Sequence, residues 1–200
     1  MRNSCFIVFE GGDGSGKTTQ INLLYQWFRK NNYDVVVTKE PGGTKLGESV
    51  RNIILHGEKI DPKTEALLYA ADRAHHVNTV VRPALQLGKV VLSDRYFDSS
   101  VAYQGYGRRL GERVITDLNV WATDNLQPDL VIVLDIDPEN SMVHGVKDNI
   151  ENQPVDFHKK VREFFLKKAE QHDNYVVINA KDKIGSIHKK ILDTLQEKIL

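Results

Sequence analysis

The sequence has a single cysteine, no excess of charge of either sign and no long hydrophobic run. Each shortage excludes something. Cys5 stands alone, so an internal disulfide is impossible and a zinc site would lack its companion ligands. Lys plus Arg and Asp plus Glu each total 27, so no global basic field marks a nucleic-acid binder. Any site for a charged ligand must then come from local clustering. The apolar runs 6–9 and 131–134 are of strand length and far too short to cross a bilayer. The first strand begins almost at the N-terminus and leaves no room for a signal peptide, so the expectation is a soluble cytoplasmic protein.

What is present reads as one globular domain spanning residues 1–200, with 40% apolar residues. Residues 6–9 form a continuous apolar run, as expected of a strand buried on both faces. Ile21, Leu24, Tyr25 and Phe28 then recur at helical spacing, and Asn31-Asn32 stops that helix. Further strands are expected at 35–37, 90–92, 130–134 and 175–178. Helices are expected at 46–56, from Asp61-Pro62 to Gly88, and from Ile184 to the C-terminus. On the helix opened by Pro62, the residues Leu67, Ala70, Ala74, Val77 and Val81 are expected to face the core. Trp27 and Trp121 are expected to be packing residues. The order β-α-β-α-α-β-α-α-β-α-β-α implies a five-stranded parallel sheet with helices on both faces, a three-layer α/β fold. Right-handed crossovers line up the strands' C-terminal ends on one edge, where ligands bind. Residues 145–154 are polar and aperiodic, a loop or a lid.

Gly11-Gly12-Asp13-Gly14-Ser15-Gly16-Lys17-Thr18 matches the phosphate-binding pattern G-x-x-x-x-G-K-[ST]. Backbone N–H groups curl round phosphate oxygens in conformations that a Cβ would forbid. Lys17 supplies a point charge, Thr18 a hydroxyl for Mg²⁺, and the helix that follows its positive N-terminal end. A strand leading in and an amphipathic helix leading out argue against a chance glycine turn. A metal-side carboxylate is sought at the end of a neighbouring strand. Asp94 is preferred to Asp135 because Arg95 follows it, and His75-His76 diverge on their helix and are no metal pair. Tyr69 and Arg73, four apart on one helix, suit a flat heterocycle that stacks on one and bonds to the other. A pair covering the core edge is the plain alternative.

With these residues the sequence resembles the thymidylate kinase family of P-loop nucleoside monophosphate kinases. The resemblance rests on the stretch from Phe9 through the P-loop to Gln20, on Glu40-Pro41-Gly42-Gly43-Thr44, and on Ala71-Asp72-Arg73. The run 94–108 and Asp135-Ile136-Asp137-Pro138-Glu139 complete it. The resemblance implies a P-loop NTPase fold, transfer of the ATP γ-phosphate to dTMP with Mg²⁺, and a homodimer. It puts Gly11, Gly12, Asp13, Gly14, Ser15, Gly16, Lys17, Thr18 and Thr19 around ATP, and Thr18 and Asp94 at the metal. Tyr69 would stack on thymine, Arg73 would bond a base carbonyl, and Ser100 and Gln104 would read the base edge. Tyr103 would crowd the sugar C2′ and exclude a 2′-hydroxyl. Arg51 and Arg95 would hold the acceptor phosphate, and Asp13 and Glu40 would position the acceptor. A phosphate monoester is already substantially dianionic near pH 7, so no strong base is needed, and Lys17, Asp13 and Arg95 are the expected catalytic groups.

The chain departs from the family in one respect. Members bring a mobile arginine to the transferred group from the P-loop or a lid, but Gly14 occupies the P-loop position and the segment 145–156 has no arginine. The expectation is that Lys147, in a short lid at about 144–156, partly replaces it as a catalytic residue and that His144 packs on adenine. Arg108, Arg109 or Arg162 would serve instead if folding brings one close. The rival readings are a kinase for another nucleoside monophosphate or deoxynucleoside, and a P-loop module that holds nucleotide without turnover.

Overall fold

The structure is a computed structural model that describes residues 4–140 and 148–200. Five parallel strands form one sheet in the order β2-β3-β1-β4-β5. They are β1 (Cys5–Glu10), β2 (Val35–Lys39), β3 (Val90–Asp94), β4 (Leu130–Asp135) and β5 (Tyr175–Asn179). The central strand β1 is buried throughout, which is why it reads as an unbroken apolar run. Its residues alternate between two cores. Cys5, Ile7 and Phe9 pack with α1 (Lys17–Lys30) and α8 (Ile184–Lys198), whereas Phe6 and Val8 pack with the remaining helices. Burial pushes the Cys5 thiol up to about 12, so it behaves as a small apolar residue.

On the second face lie α2 (Lys45–His56), α3 (Pro62–His76), α4 (Arg82–Gln86), α5 (Phe97–Ser100), α6 (Glu112–Thr123) and α7 (Val155–Gln171). Asp61 caps α3 through the N–H groups of Lys63 and Thr64, with Pro62 at the first turn. The helical stretch from Pro62 to Gln86 is interrupted by a π-helical turn at Val77–Val81. A second π-helical segment, Val101–Gly107, continues α5 and presents Tyr103 and Gln104 from its buried side. Asp137 accepts from the Glu139 N–H and opens the 3-10 turn Pro138–Asn140.

Two side chains expected in the core are outside it. Leu67 is 59% exposed on α3, whereas Ala70 on that helix and Val77 and Val81 in the π-helical turn fill the core as expected, joined by Ala66. Trp121 is 78% exposed on α6, while Trp27 does pack against the α1 and α8 core. Helical period fixes which residues share a face, but α3 and α6 each carry two apolar faces, and only packing decides which is covered.

The strand ends position the site. Glu10, Asp94, Asp135 and Asn179 close β1, β3, β4 and β5, and Glu40 follows β2, so all face one edge of the sheet. The chain leaves β1 at Gly11, with φ of 127°, so close to β4 that a Cβ there would lie 2.4 Å from the Leu134 carbonyl oxygen. Gly11→Ala combines a forbidden φ with a backbone clash. It is expected to cost about 3 kcal/mol and to lower Tm by about 6–12 °C in a thermal melt. A shift below about 2 °C would contradict the close approach.

Candidate functional site

Lys17 opens α1, and Gly16 before it holds φ of 88°, a left-handed conformation that frees the loop to turn its N–H groups inward. A cleft of about 730 Å³ lies over this loop, lined by Asp13, Gly14, Gly16, Lys17, Thr18 and Thr19. Gly11 and Gly12 line an adjoining cavity toward β4 and α7. The Lys17 ammonium donates to the carbonyl oxygens of Gly11 at 3.1 Å and Gly12 at 2.9 Å, and burial pulls it down to about 8. The Ser15 hydroxyl is buried without a hydrogen-bond partner among the described residues. Thr18 Oγ1 donates to Asp94 Oδ2 at 3.1 Å, so the two residues expected at a metal are in contact. A hydroxyl beside a carboxylate on a phosphate loop suits a hard divalent cation that completes its shell with phosphate and water oxygens.

Beside the cleft is a pocket lined by all of the residues expected at an acceptor nucleotide: Asp13, Glu40, Arg51, Tyr69, Arg73, Arg95, Ser100, Tyr103 and Gln104. Arg73 is its most constrained member, 1% exposed on α3. Its Nε donates to Glu40 Oε2 at 2.6 Å, Nη1 to Ser100 Oγ at 2.9 Å and to Asn119 Oδ1, and Nη2 to the Tyr96 carbonyl at 3.2 Å. Glu40 also bonds the His76 ring at 2.7 Å, and the other His76 nitrogen meets Thr38 Oγ1 at 2.6 Å. Burial works against the charged form of Glu40, but Arg73 and His76 outweigh it and hold its carboxyl below the usual range. Arg51 Nη1 donates to the Pro41 carbonyl at 3.3 Å.

Arg95 joins the pocket to the P-loop. Its φ of 71° turns the chain sharply after β3, its Nη2 donates to Asp13 Oδ1 at 2.6 Å, and its guanidinium lies 5.2 Å from the Tyr103 ring centroid. Burial raises the Asp13 carboxyl, but Arg95 and Lys17 prevail and hold it at about 2. Behind Arg95 is Glu10, fully buried at the end of β1. Glu10 accepts from Ser99 Oγ at 2.6 Å, from the Tyr96 N–H at 3.0 Å and from the Ser99 N–H at 3.3 Å, and Arg95 Nη1 donates to Ser99 Oγ at 3.2 Å.

Sequence reasoning missed Glu10, Ser99, His76 and Asn119, because each acts through a partner far along the chain. Residues 145–154 are expected as a loop or a lid; the described part, 148–153, is a loop of turns docked against α2. The Asn149 N–H donates to the Leu55 carbonyl at 3.2 Å, and its side-chain amide donates to Ile54 at 3.0 Å and Gly57 at 3.3 Å. Asp148 and Ile150 thereby become part of the wall of the pocket that holds Tyr69 and Arg73, and the last residues of the expected lid, Val155 and Asp156, belong to α7.

Of the arginines considered as stand-ins for the missing one, Arg162 lines the cavity that also holds Gly11, Gly12 and Asp13. Arg108 grips Glu65 and Gln153, and Arg162 pairs with Asp135 at 2.6 Å. Arg109 is exposed. Lys147 and His144 lie outside the described residues.

Comparison with known proteins adds a consistent set of relatives. A family model described as thymidylate kinase matches residues 9–191. A thymidylate kinase of Clavibacter sepedonicus is 50% identical, covering 88% of this chain and 86% of its own. One from Sulfurihydrogenibium sp. (strain YO3AOP1) is 46% identical, covering 96% and 97%. The crystal structure of thymidylate kinase from Ehrlichia chaffeensis superposes with a TM-score of 0.82 at 36% identity, covering 97% of this chain and 99% of that one.

Burial raises the Glu10 carboxyl from 4.5 to about 7, against the pull of Arg95 and the Ser99 hydroxyl. Its protonated form therefore stabilises the fold below pH 4.5, and that contribution is lost as the pH rises to about 7. Thermal melts across this range should show Glu10→Gln gaining on the wild type as pH increases. A constant difference in Tm across the window would contradict the assignment.

Proposed function

Because the chain belongs to the thymidylate kinase family, whose enzymes transfer a phosphoryl group from ATP to dTMP, we propose that the P-loop cleft takes ATP and the pocket beside it takes dTMP. One observation carries this division of roles. The two cavities share Asp13, Glu40, Arg51 and Arg95, so a single wall of two arginines and two carboxylates lies between donor and acceptor. Two phosphates that must approach in line need cations at the point where they meet.

In this reading Tyr69 stacks on the base, Arg73, Ser100 and Gln104 bond its edge, and Tyr103 excludes a 2′-hydroxyl. Arg73 has five N–H donors, and four are committed within the described residues. The fifth is left for a base carbonyl. Arg51 and Arg95 hold the acceptor phosphate, one of whose oxygens attacks the γ-phosphorus directly. Asp13 and Glu40 orient the arginines rather than remove a proton. Lys17, bonded to loop carbonyls in the free protein, turns to the phosphates when they arrive. Thr18 and Asp94 would hold Mg²⁺, which when bound neutralises phosphate charge. Lys147 stands in for the absent arginine, and His144 packs on adenine. The loss of such an arginine can be worth ~10³ in rate, so turnover is expected to be modest.

The protein is further proposed to act in the cytoplasm as a homodimer; no helix among the described residues is long and apolar enough to cross a membrane. Support for pairing is an apolar surface shared by three adjacent helices. Leu46 and Ile53 on α2, Leu67 on α3, and Val114 and Trp121 on α6 are all exposed, and the α2 and α6 pairs are each seven residues apart.

Coupled assays of ADP release with dTMP, dUMP, dCMP, dGMP and thymidine test the substrate. The highest kcat/KM is expected with dTMP, and nucleotide binding without acceptor-dependent turnover would instead indicate a module that does not catalyse. Trp121→Glu should convert the dimer to monomer in sedimentation velocity; a monomeric wild type, or an undisturbed dimer in the variant, would refute this interface.

A further inference from the structure

We infer that Glu65 determines base specificity, acting through Gln104 by setting which end of that amide faces the acceptor pocket. The inference rests on the reading of this pocket as a thymidylate site. Gln104 lines the pocket; Glu65, on the first turns of α3 and 4% exposed, is not part of the lining and lies behind it. Gln104 Nε2 donates to Glu65 Oε1 at 2.7 Å. A carboxylate only accepts, so the nitrogen end of the amide is the end that turns toward Glu65. The carbonyl oxygen is then the end turned away from Glu65, on a side chain that lines the cavity.

An unrestrained glutamine amide has two nearly equivalent orientations about its last torsion. Reversed here, it would set two acceptor oxygens against each other in a buried place and leave the carboxylate short of a donor. Glu65 is itself immobilised. Arg108 Nη2 donates to its Oε2 at 3.0 Å and Arg108 Nε to its Oε1 at 3.3 Å. Arg108 is fixed in turn by Gln153 Oε1 at 2.8 Å and by the Phe157 ring, whose centroid is 5.2 Å from the guanidinium carbon.

The consequence is a pocket edge with one polarity. Arg73 offers a donor and Gln104 an acceptor. Thymine shows a carbonyl at C4 next to an N–H at N3 and matches both. Cytosine shows an amino group at C4 and a lone pair at N3 and matches neither. An amide free to reverse would meet the N3 lone pair with its own N–H, and half of the discrimination would be lost. A side chain able to play either part becomes, beside Glu65, an acceptor only.

The test is the ratio of kcat/KM for dTMP to that for dCMP, with ATP saturating, in the wild type and in Glu65→Gln. Gln at 65 can donate or accept, so Gln104 is released to turn. The ratio is expected to fall by about tenfold or more, chiefly through a higher KM for dTMP, because a site built to bond a particular N–H rejects analogues lacking it. In a Gln104→Ala background the same change should move the ratio by less than about twofold. A role in folding alone would depress both substrates alike, so an unchanged ratio in folded Glu65→Gln, or an equal fall in the Gln104→Ala background, overturns the inference. Should Glu65→Gln fail to fold, Arg108→Gln, which loosens Glu65 without removing it, decides by the same ratio. A wild type with no preference for dTMP over dCMP would overturn the thymidylate reading itself, and is distinguished because it appears before any substitution.

Discussion

A guanidinium that is 1% exposed cannot rely on water, and taking an ion out of water costs several kcal/mol unless its hydrogen bonds are met in place. Arg73 obtains its partners from four separate parts of the chain. Glu40 comes from the turn after β2, Ser100 from α5, Asn119 from α6, and the Tyr96 carbonyl from the chain after β3. The pocket proposed for the acceptor has its shape because these parts must converge on one cation. Glu40 needs a second donor on its other oxygen and finds it in His76, which in turn holds Thr38 on β2. The same chain of requirements thus runs from the pocket floor into the sheet.

The architecture was largely legible in the residues, for a simple reason. Strands buried on both faces appear as short unbroken apolar runs, and helix ends are written in local chemistry such as Asp61-Pro62 and Asn31-Asn32. The P-loop was legible because its backbone shape tolerates few residues other than glycine. Placement of the apolar faces was less so. Leu67 and Trp121 have the period of core residues, yet they sit on faces left uncovered among the described residues. For the site, Tyr69 and Arg73 could be paired by helical spacing alone. The family resemblance brought in Arg51, Arg95, Ser100, Tyr103 and Gln104. The groups that hold these in place, Glu10 behind Arg95 and Glu65 behind Gln104, are separated from their partners by 39 to 89 positions. No local pattern encodes such a pairing; it exists only once the sheet has brought the strand ends together.

The electrostatics of the sheet edge follow from where the strands stop. Glu10, Glu40, Asp94 and Asp135 all end up on one side, and Asp13 joins them from the loop. Arginines answer most of them: Arg95 for Asp13, Arg73 for Glu40, Arg162 for Asp135. Glu10 has Ser99 and backbone N–H groups instead; these favour its charged form, but burial outweighs them, and it keeps its proton more readily than an ordinary carboxyl. Asp94 meets only the neutral hydroxyl of Thr18 among the hydrogen bonds described. Lys17 and Arg95 act on it only at longer range, without an ion pair among the described residues.

Asn149 fastens residues 148–153 to the end of α2 through three hydrogen bonds, the longest-ranged of them joining positions 95 apart. Seen along the time axis of synthesis, this contact closes late. Strands β1, β2 and β3, together with α2 and α3, are complete well before residue 149 is made, so they can assemble while one wall of the acceptor pocket does not yet exist. Contacts spanning so much chain also carry the largest loop-closure entropy and reward folding last. The other residues that line this pocket, from 13 to 104, are therefore made before this wall of it exists. Until residue 149 is made, the pocket proposed for the acceptor stands open on that side.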